Sequence, residues 1–79
     1  MKCTREHFEA IKNAVCSIDT PERRKAYSDN GLSNVRYAWD CFWSAQRTNL
    51  LSREFVNSLY AYMNDSNIQT ALFSALNIK

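Results

Sequence analysis

The stretch 34-NVRYAWDCFWSAQ-46 places four aromatic side chains within residues 37–43 and contains neither glycine nor proline. A helix turns by about 100° per residue, so this stretch can be divided into faces. Its apolar face is formed by Val35, Ala38, Trp39, Phe42 and Ala45, with Cys41 at its edge. This face covers nearly half of the helix circumference, which is too wide for contact with a single neighbour. The pattern predicts a central helix over about residues 34–46, with other helices packed on two of its sides.

The opposite face of this helix is polar and contains Arg36, Asp40, Ser44 and Arg47. Arg36 precedes Asp40 by one turn, a spacing that predicts a solvent-exposed ion pair. A catalytic carboxylate would need a perturbing partner and a cleft, and the sequence indicates neither. Tyr37 flanks the other edge of the helix, beside Ser44. Trp43 lies at the border between the two faces.

The composition of the whole chain agrees with a helical protein. The 79 residues suit one small domain over 1–79, and 46% of them are hydrophobic, which argues against disorder. A single glycine and a single proline are too few for a β protein with many turns. The sequence therefore predicts an all-α fold, a compact bundle of about five short helices around the central one.

The sequence before the central helix predicts two helices. Thr4 can cap the first, and an apolar stripe follows with helical spacing at Phe8, Ile11, Val15 and Ile18. Thr20 and Pro21 are typical of the N-cap and first position of a second helix, with Ala26 and Tyr27 predicted to face inward. Gly31 is expected to end that helix in a left-handed conformation, and Ser33 to cap the central helix.

Two further helices are predicted after the central one. Ser52 or Asn49 can start the fourth helix, whose apolar stripe is Leu51, Phe55, Leu59 and Tyr62. Asn64 or Asp65 can cap the fifth, whose apolar face is Ile68, Ala71, Leu72 and Ala75. Asp65 could alternatively act with Asp40 to present acceptors to a partner.

Redox, metal and catalytic chemistry receive little support from the sequence. The three cysteines are widely spaced and odd in number, and no apolar run is long enough to span a bilayer, so a cytoplasmic location is expected. Cys3 and His7 could offer two ligands to one metal, fewer than zinc usually takes. The single glycine excludes a glycine-rich phosphate loop. We predict a non-enzymatic protein without metal or cofactor; Cys41 and His7 are the best candidates if it is an enzyme.

Several aromatic residues lie off the main apolar stripes of their helices. Trp43 borders the central helix face near Arg36 and Arg47, Tyr60 lies off the fourth stripe, and Phe73 off the fifth. Such residues form a second buried stripe in many small bundles. The alternative is a surface that binds a protein partner or a second copy, because Trp, Tyr, Phe and Arg are enriched at interfaces. These five residues are the candidate partner-binding set.

The densest basic segment, Arg23-Arg24-Lys25, is the candidate nucleic-acid contact, although a solvated helix face is the simpler explanation. The net charge of +2 is low for a nucleic-acid binder. Residues 25–40 have the order helix, glycine turn, helix, but Tyr27 and Asp40 occupy positions where a helix-turn-helix needs a small and an apolar residue. DNA binding is therefore the second hypothesis.

The central segment has the pattern Arg-Tyr-x-Trp-Asp-x-x-Trp, and residues 60–72 have the pattern Tyr-x-Tyr-x-Asn-Asp-x-x-Ile-x-Thr-Ala-Leu. With the 19-DTPERR-24 helix start, these segments resemble a group of small uncharacterised proteins encoded by tailed bacteriophages and prophages. Two departures are Asn67, where the group has a histidine, and Gln69, where it has an acid. The resemblance extends from about Asp19 to Leu72. It implies a phage context and no activity. Because one compact domain has room for an interface and little else, we predict a phage accessory protein in the host cytoplasm that binds a host protein or itself.

Overall fold

A computed structural model describes residues 5–78, which form five α-helices and no strand. The helices are α1 (Arg5–Ile18), α2 (Pro21–Asp29), α3 (Asn34–Arg47), α4 (Arg53–Tyr62) and α5 (Asp65–Leu76). The all-α prediction is confirmed, and the central helix has nearly the predicted bounds. The predicted cap Thr4 and the thiol of Cys3 lie outside the described residues.

Side-chain caps fix where four of the helices begin. The Thr20, Ser33, Ser52 and Asn64 side chains each accept a hydrogen bond from the backbone N–H three residues later, at 2.9–3.2 Å. The caps of α4 and α5 are therefore Ser52 and Asn64. Gly31 has a φ of +69°, and its left-handed conformation follows the end of α2 as predicted.

The core lies where α1, α3 and α5 pack on one another, and residues from the α3–α4 loop and from α4 complete it. The buried side chains are all apolar or aromatic: Ile11, Ala14, Val15, Tyr37, Ala38, Cys41, Phe42, Ala45, Leu51, Val56, Leu59, Met63, Ile68, Ala71, Leu72 and Leu76. The predicted stripes of α1 and α5 are confirmed, with Phe8, Ile18 and Ala75 half-buried at the edge of the core.

Helix α3 is rotated relative to the predicted wheel. Val35, predicted on the apolar face, is 43% exposed, and Trp39 is half-buried. Tyr37, predicted at an edge of the helix beside Ser44, is buried. The centre of the buried face is displaced by roughly 60° from the centre of the apolar face. The physical reason is that the Tyr37 hydroxyl donates to Asp19 Oδ1, so its ring can be buried with its polar atom satisfied.

Helices α2 and α4 also differ from the prediction. No residue of α2 is buried: Ala26 is exposed, and Tyr27 is half-buried because its hydroxyl extends to Asp40. In α4, Val56 is buried although it lies off the predicted stripe, and Tyr62 is 44% exposed. The Tyr62 ring lies over the His7 ring, with 5.2 Å between the centroids. None of the helices described over residues 5–78 is both long and apolar enough to cross a membrane.

Candidate functional site

The rotation of α3 leaves one side of this helix at the protein surface. We call this side the α3 outer face; it consists of Val35, Arg36, Trp39, Asp40, Trp43, Gln46 and Arg47. Val35, Trp39 and Trp43 follow one another at intervals of four residues and therefore form a single apolar ridge along the helix. The charged residues lie beside this ridge. The α3 outer face thus combines an apolar ridge with charged side chains.

Stacking holds the Trp43 indole at the surface. Trp43 is 43% exposed and stacks on Trp39, with 5.6 Å between the ring centroids and 26° between the ring planes. The buried Phe42 ring contacts both indoles at an angle. Trp39 Nε1 donates to Gln69 Oε1 on α5 at 3.1 Å, which fixes the inner indole. Trp43 therefore presents a large apolar surface with little conformational freedom.

Asp40 lies next to this apolar ridge and interacts with two other side chains. Its Oδ2 accepts a hydrogen bond from the Tyr27 hydroxyl at 2.6 Å and lies 3.7 Å from Arg36 Nε, which is the predicted ion pair. The hydrogen bond to Asp40 raises the pKa of Tyr27, so the phenol stays protonated. Among residues 5–78, no group donates to the other carboxylate oxygen, Oδ1. That oxygen remains an acceptor for an external donor.

Two arginines share a surface depression with the exposed indole. Trp43 and Asp40 line an open depression of about 570 Å³ together with Gln46, Arg47, Asn49 and Arg53. Arg47 Nη2 lies 3.4 Å from Ser44 Oγ, and Arg23 Nη2 donates to the same hydroxyl at 3.1 Å. Two guanidinium groups from α2 and α3 therefore meet at one oxygen. The Arg23 Nε is buried and has no hydrogen-bond partner in the described part of the chain.

The three residues of the basic segment point in different directions. Arg24 forms a two-bond ion pair with Asp19 at 2.8 Å and also donates to the Leu76 carbonyl at 2.6 Å. Lys25 pairs with Asp29 at 3.0 Å on the exposed side of α2, and Arg23 reaches α3. They do not form one continuous basic surface. The Asp19–Arg24 pair instead connects the α1–α2 junction to the end of α5.

The five candidate partner-binding residues divide between different surfaces. Arg36, Trp43 and Arg47 lie together on the α3 outer face. Tyr60 is 44% exposed and lines a separate depression with Tyr62 and Asp65. Phe73 is half-buried and packs against the core. It therefore belongs to a second buried stripe, which was the alternative to a binding role. The prediction missed Val35, Asn49 and Arg53. The four-residue spacing of Val35, Trp39 and Trp43 was a signal for the ridge.

Within residues 5–78, Cys16, Cys41 and His7 lie apart from one another in three different settings. In the described part of the chain, no three or more His, Cys, Asp or Glu side chains are close enough to hold a metal ion. The His7 ring contacts the rings of Phe55 and Tyr62 in tilted arrangements. Cys41 is fully buried, and burial raises the pKa of its thiol, whereas Cys16 is exposed. The best thiol candidate for catalysis is therefore closed to substrate.

This difference between the thiols predicts their reactivity. In a Cys3→Ser variant at neutral pH, a thiol reagent should label Cys16 rapidly and Cys41 at least about 100-fold more slowly, because Cys41 must wait for an opening of the core. Peptide mapping by mass spectrometry after timed labelling would measure both rates. Comparable rates in the folded protein would contradict the burial of Cys41, and equal labelling in urea is the control.

No protein-family model, curated protein or solved structure matches this chain.

Proposed function

We propose that this chain is a small phage or prophage accessory protein that acts in the host cytoplasm by binding a protein through the α3 outer face. The partner is a host protein or a second copy of the chain. The phage context rests on the resemblance of the central and C-terminal segments. The mode of action rests on the surface of the molecule, and catalysis has no part in it.

The exposed Trp43 carries this proposal. An indole that is 43% exposed, yet held by stacking on a second indole, has little conformational freedom left to lose on binding. Arg36 and Arg47 flank it, and Trp and Arg are the residues that most often dominate interface energetics. Val35 extends the apolar ridge, so a partner can bury a strip of surface rather than one side chain.

The second hypothesis, DNA binding through Arg23, Arg24 and Lys25, receives no such support. Arg24 is paired with Asp19, and Lys25 with Asp29. A phosphate would have to compete with carboxylates already in place. The salt dependence of binding to duplex DNA tests this alternative, since phosphate contacts weaken steeply as salt rises.

The Trp43→Ala variant is expected to lose the partner while the domain stays folded. Truncation of an interface Trp commonly costs 2 kcal/mol or more, so we expect roughly 30-fold weaker binding. The measurement is affinity capture from bacterial lysate with tagged full-length protein, followed by titration of the captured protein. Light scattering on the same variants measures self-association.

Tyr60→Ala is the matched control, because Tyr60 is equally exposed and lines a different depression. Circular dichroism should show native helix content in both variants. Partner binding that persists in Trp43→Ala and disappears in Tyr60→Ala would assign the interface to the α4–α5 surface and contradict the proposal.

A further inference from the structure

The depression beside Trp43 carries more positive than negative charge. Its lining contains two arginines, Arg47 and Arg53, and one acid, Asp40. Within residues 5–78, neither of these arginines forms an ion pair, whereas Asp40 already pairs with Arg36. Arg23 adds a further guanidinium behind Ser44. Two exposed guanidinium groups are thus available beside an exposed indole.

We propose that this depression binds an acidic segment of the partner protein. Carboxylates of the segment pair with Arg47 and Arg53, and an apolar or aromatic side chain between them covers the Trp43 indole. This inference rests on the proposed function and adds the chemistry of the partner. A planar guanidinium group can donate two parallel hydrogen bonds to one carboxylate, which gives the contact both strength and orientation.

The remaining polar groups of the depression favour a polypeptide over a nucleic acid. Asp40 Oδ1 receives no hydrogen bond from residues 5–78, so it can accept one from a peptide N–H. A peptide supplies N–H donors for Asp40 as well as carboxylates for the arginines, whereas phosphate oxygens only accept hydrogen bonds. Gln46 and Asn49 carry amides that both donate and accept, which suits a peptide backbone.

A selection from a random peptide library tests this inference directly. The full-length protein is the target, and Trp43→Ala removes peptides that bind elsewhere. We expect the enriched peptides to combine Asp or Glu with an aromatic or large apolar residue. Arg47→Glu should weaken their binding at least about tenfold. Lys12→Glu makes the same charge change at an exposed position of α1, outside the depression, and should change binding by less than about twofold.

The possible outcomes separate this inference from the proposed function. Peptides that depend on Trp43 but show no acidic excess would overturn the inference and leave the proposed function standing. If subtraction with Trp43→Ala removes every binding peptide, or if no peptide is enriched, this inference is overturned, and the proposed function is then judged by partner capture with the wild-type protein and Trp43→Ala.

Two other ligands are tested in parallel. If a single-stranded oligothymidine binds more tightly than the best peptide and Arg47→Glu abolishes that binding, the depression is a nucleic-acid site and the inference is wrong. If the protein dimerises and Trp43→Ala abolishes dimerisation, the occupant is a second copy, and an external acidic segment is excluded.

Discussion

Replacing Phe42 with alanine is expected to lower the free energy of unfolding by about 3–5 kcal/mol. The Phe42 side chain is fully buried in the core. It contacts the rings of Trp39 and Trp43 at centroid distances of 5.7 and 5.4 Å. Alanine would leave a cavity and remove the ring on which both indoles rest. Because a small domain has only about 5–15 kcal/mol of stability, this single change should bring the protein close to unfolding.

Urea denaturation followed by circular dichroism would measure this loss, with Trp43→Ala as the matched control. Trp43 is adjacent in sequence and comparably large but 43% exposed, so its truncation should cost only about 1 kcal/mol. A Phe42→Ala loss below that of Trp43→Ala would show that the buried and exposed faces of α3 are assigned the wrong way round.

The orientation of α3 shows where sequence reasoning succeeds and where it stops. The caps and lengths of the helices follow from local chemistry, so residues such as Ser33 and Gly31 could be assigned in advance. The rotation of α3 depends on Tyr37, whose burial requires an acceptor for its hydroxyl. That acceptor, Asp19, is 18 residues away in sequence and reaches Tyr37 only after the helices pack. A helix wheel shows only the position of Tyr37 on α3, and it cannot show that a distant residue supplies the acceptor for its hydroxyl.

Only the part of the candidate site that lies on α3 can be predicted from the sequence. Arg36, Asp40, Trp43 and Arg47 belong to one helix, so their spacing alone placed them near one another. Arg53 and Asn49 belong to the next helix and the loop before it, and only the tertiary fold brings them to Trp43. In the basic segment, by contrast, residues that are neighbours in sequence diverge in the structure. Consecutive basic residues predict one basic surface, but the Arg24 side chain pairs with Asp19 while the Arg23 side chain donates to Ser44.

Replacing Asp19 with alanine is expected to lower the free energy of unfolding by about 2–3 kcal/mol at neutral pH, although Asp19 is not in the core. Asp19 accepts the hydrogen bond of the Tyr37 hydroxyl and both hydrogen bonds of Arg24. Without the carboxylate, the hydroxyl of the buried Tyr37 loses its acceptor. Arg24, which also donates to the Leu76 carbonyl, loses the charge that orients it.

Two variants separate the causes of this loss. Asp29→Ala also removes an acid paired with a base, but the Lys25 and Asp29 side chains are 76% and 61% exposed, so its cost should stay below about 0.5 kcal/mol. Tyr37→Phe removes the hydroxyl and leaves the Asp19–Arg24 pair, and should cost about 1 kcal/mol. Equal losses in Asp19→Ala and Asp29→Ala would contradict a structural role for Asp19.

The stability contributed by the Asp19 charge should also depend on pH in a defined direction. The Arg24 guanidinium, acting mainly through its hydrogen bonds, holds the pKa of Asp19 below its ordinary value. A carboxyl with a lower pKa in the folded state contributes stability above its unfolded pKa of about 3.9 and loses that contribution as the pH falls through the folded value. The difference in unfolding free energy between wild type and Asp19→Asn should therefore be largest at neutral pH and shrink below about pH 4.

Other carboxyl groups titrate in both proteins, so subtracting the unfolding free energy of Asp19→Asn from that of the wild type isolates the contribution of Asp19. A difference that is constant from neutral pH to about pH 2 would show that geometry rather than charge makes Asp19 stabilising, because the asparagine would then lack only a correctly shaped acceptor.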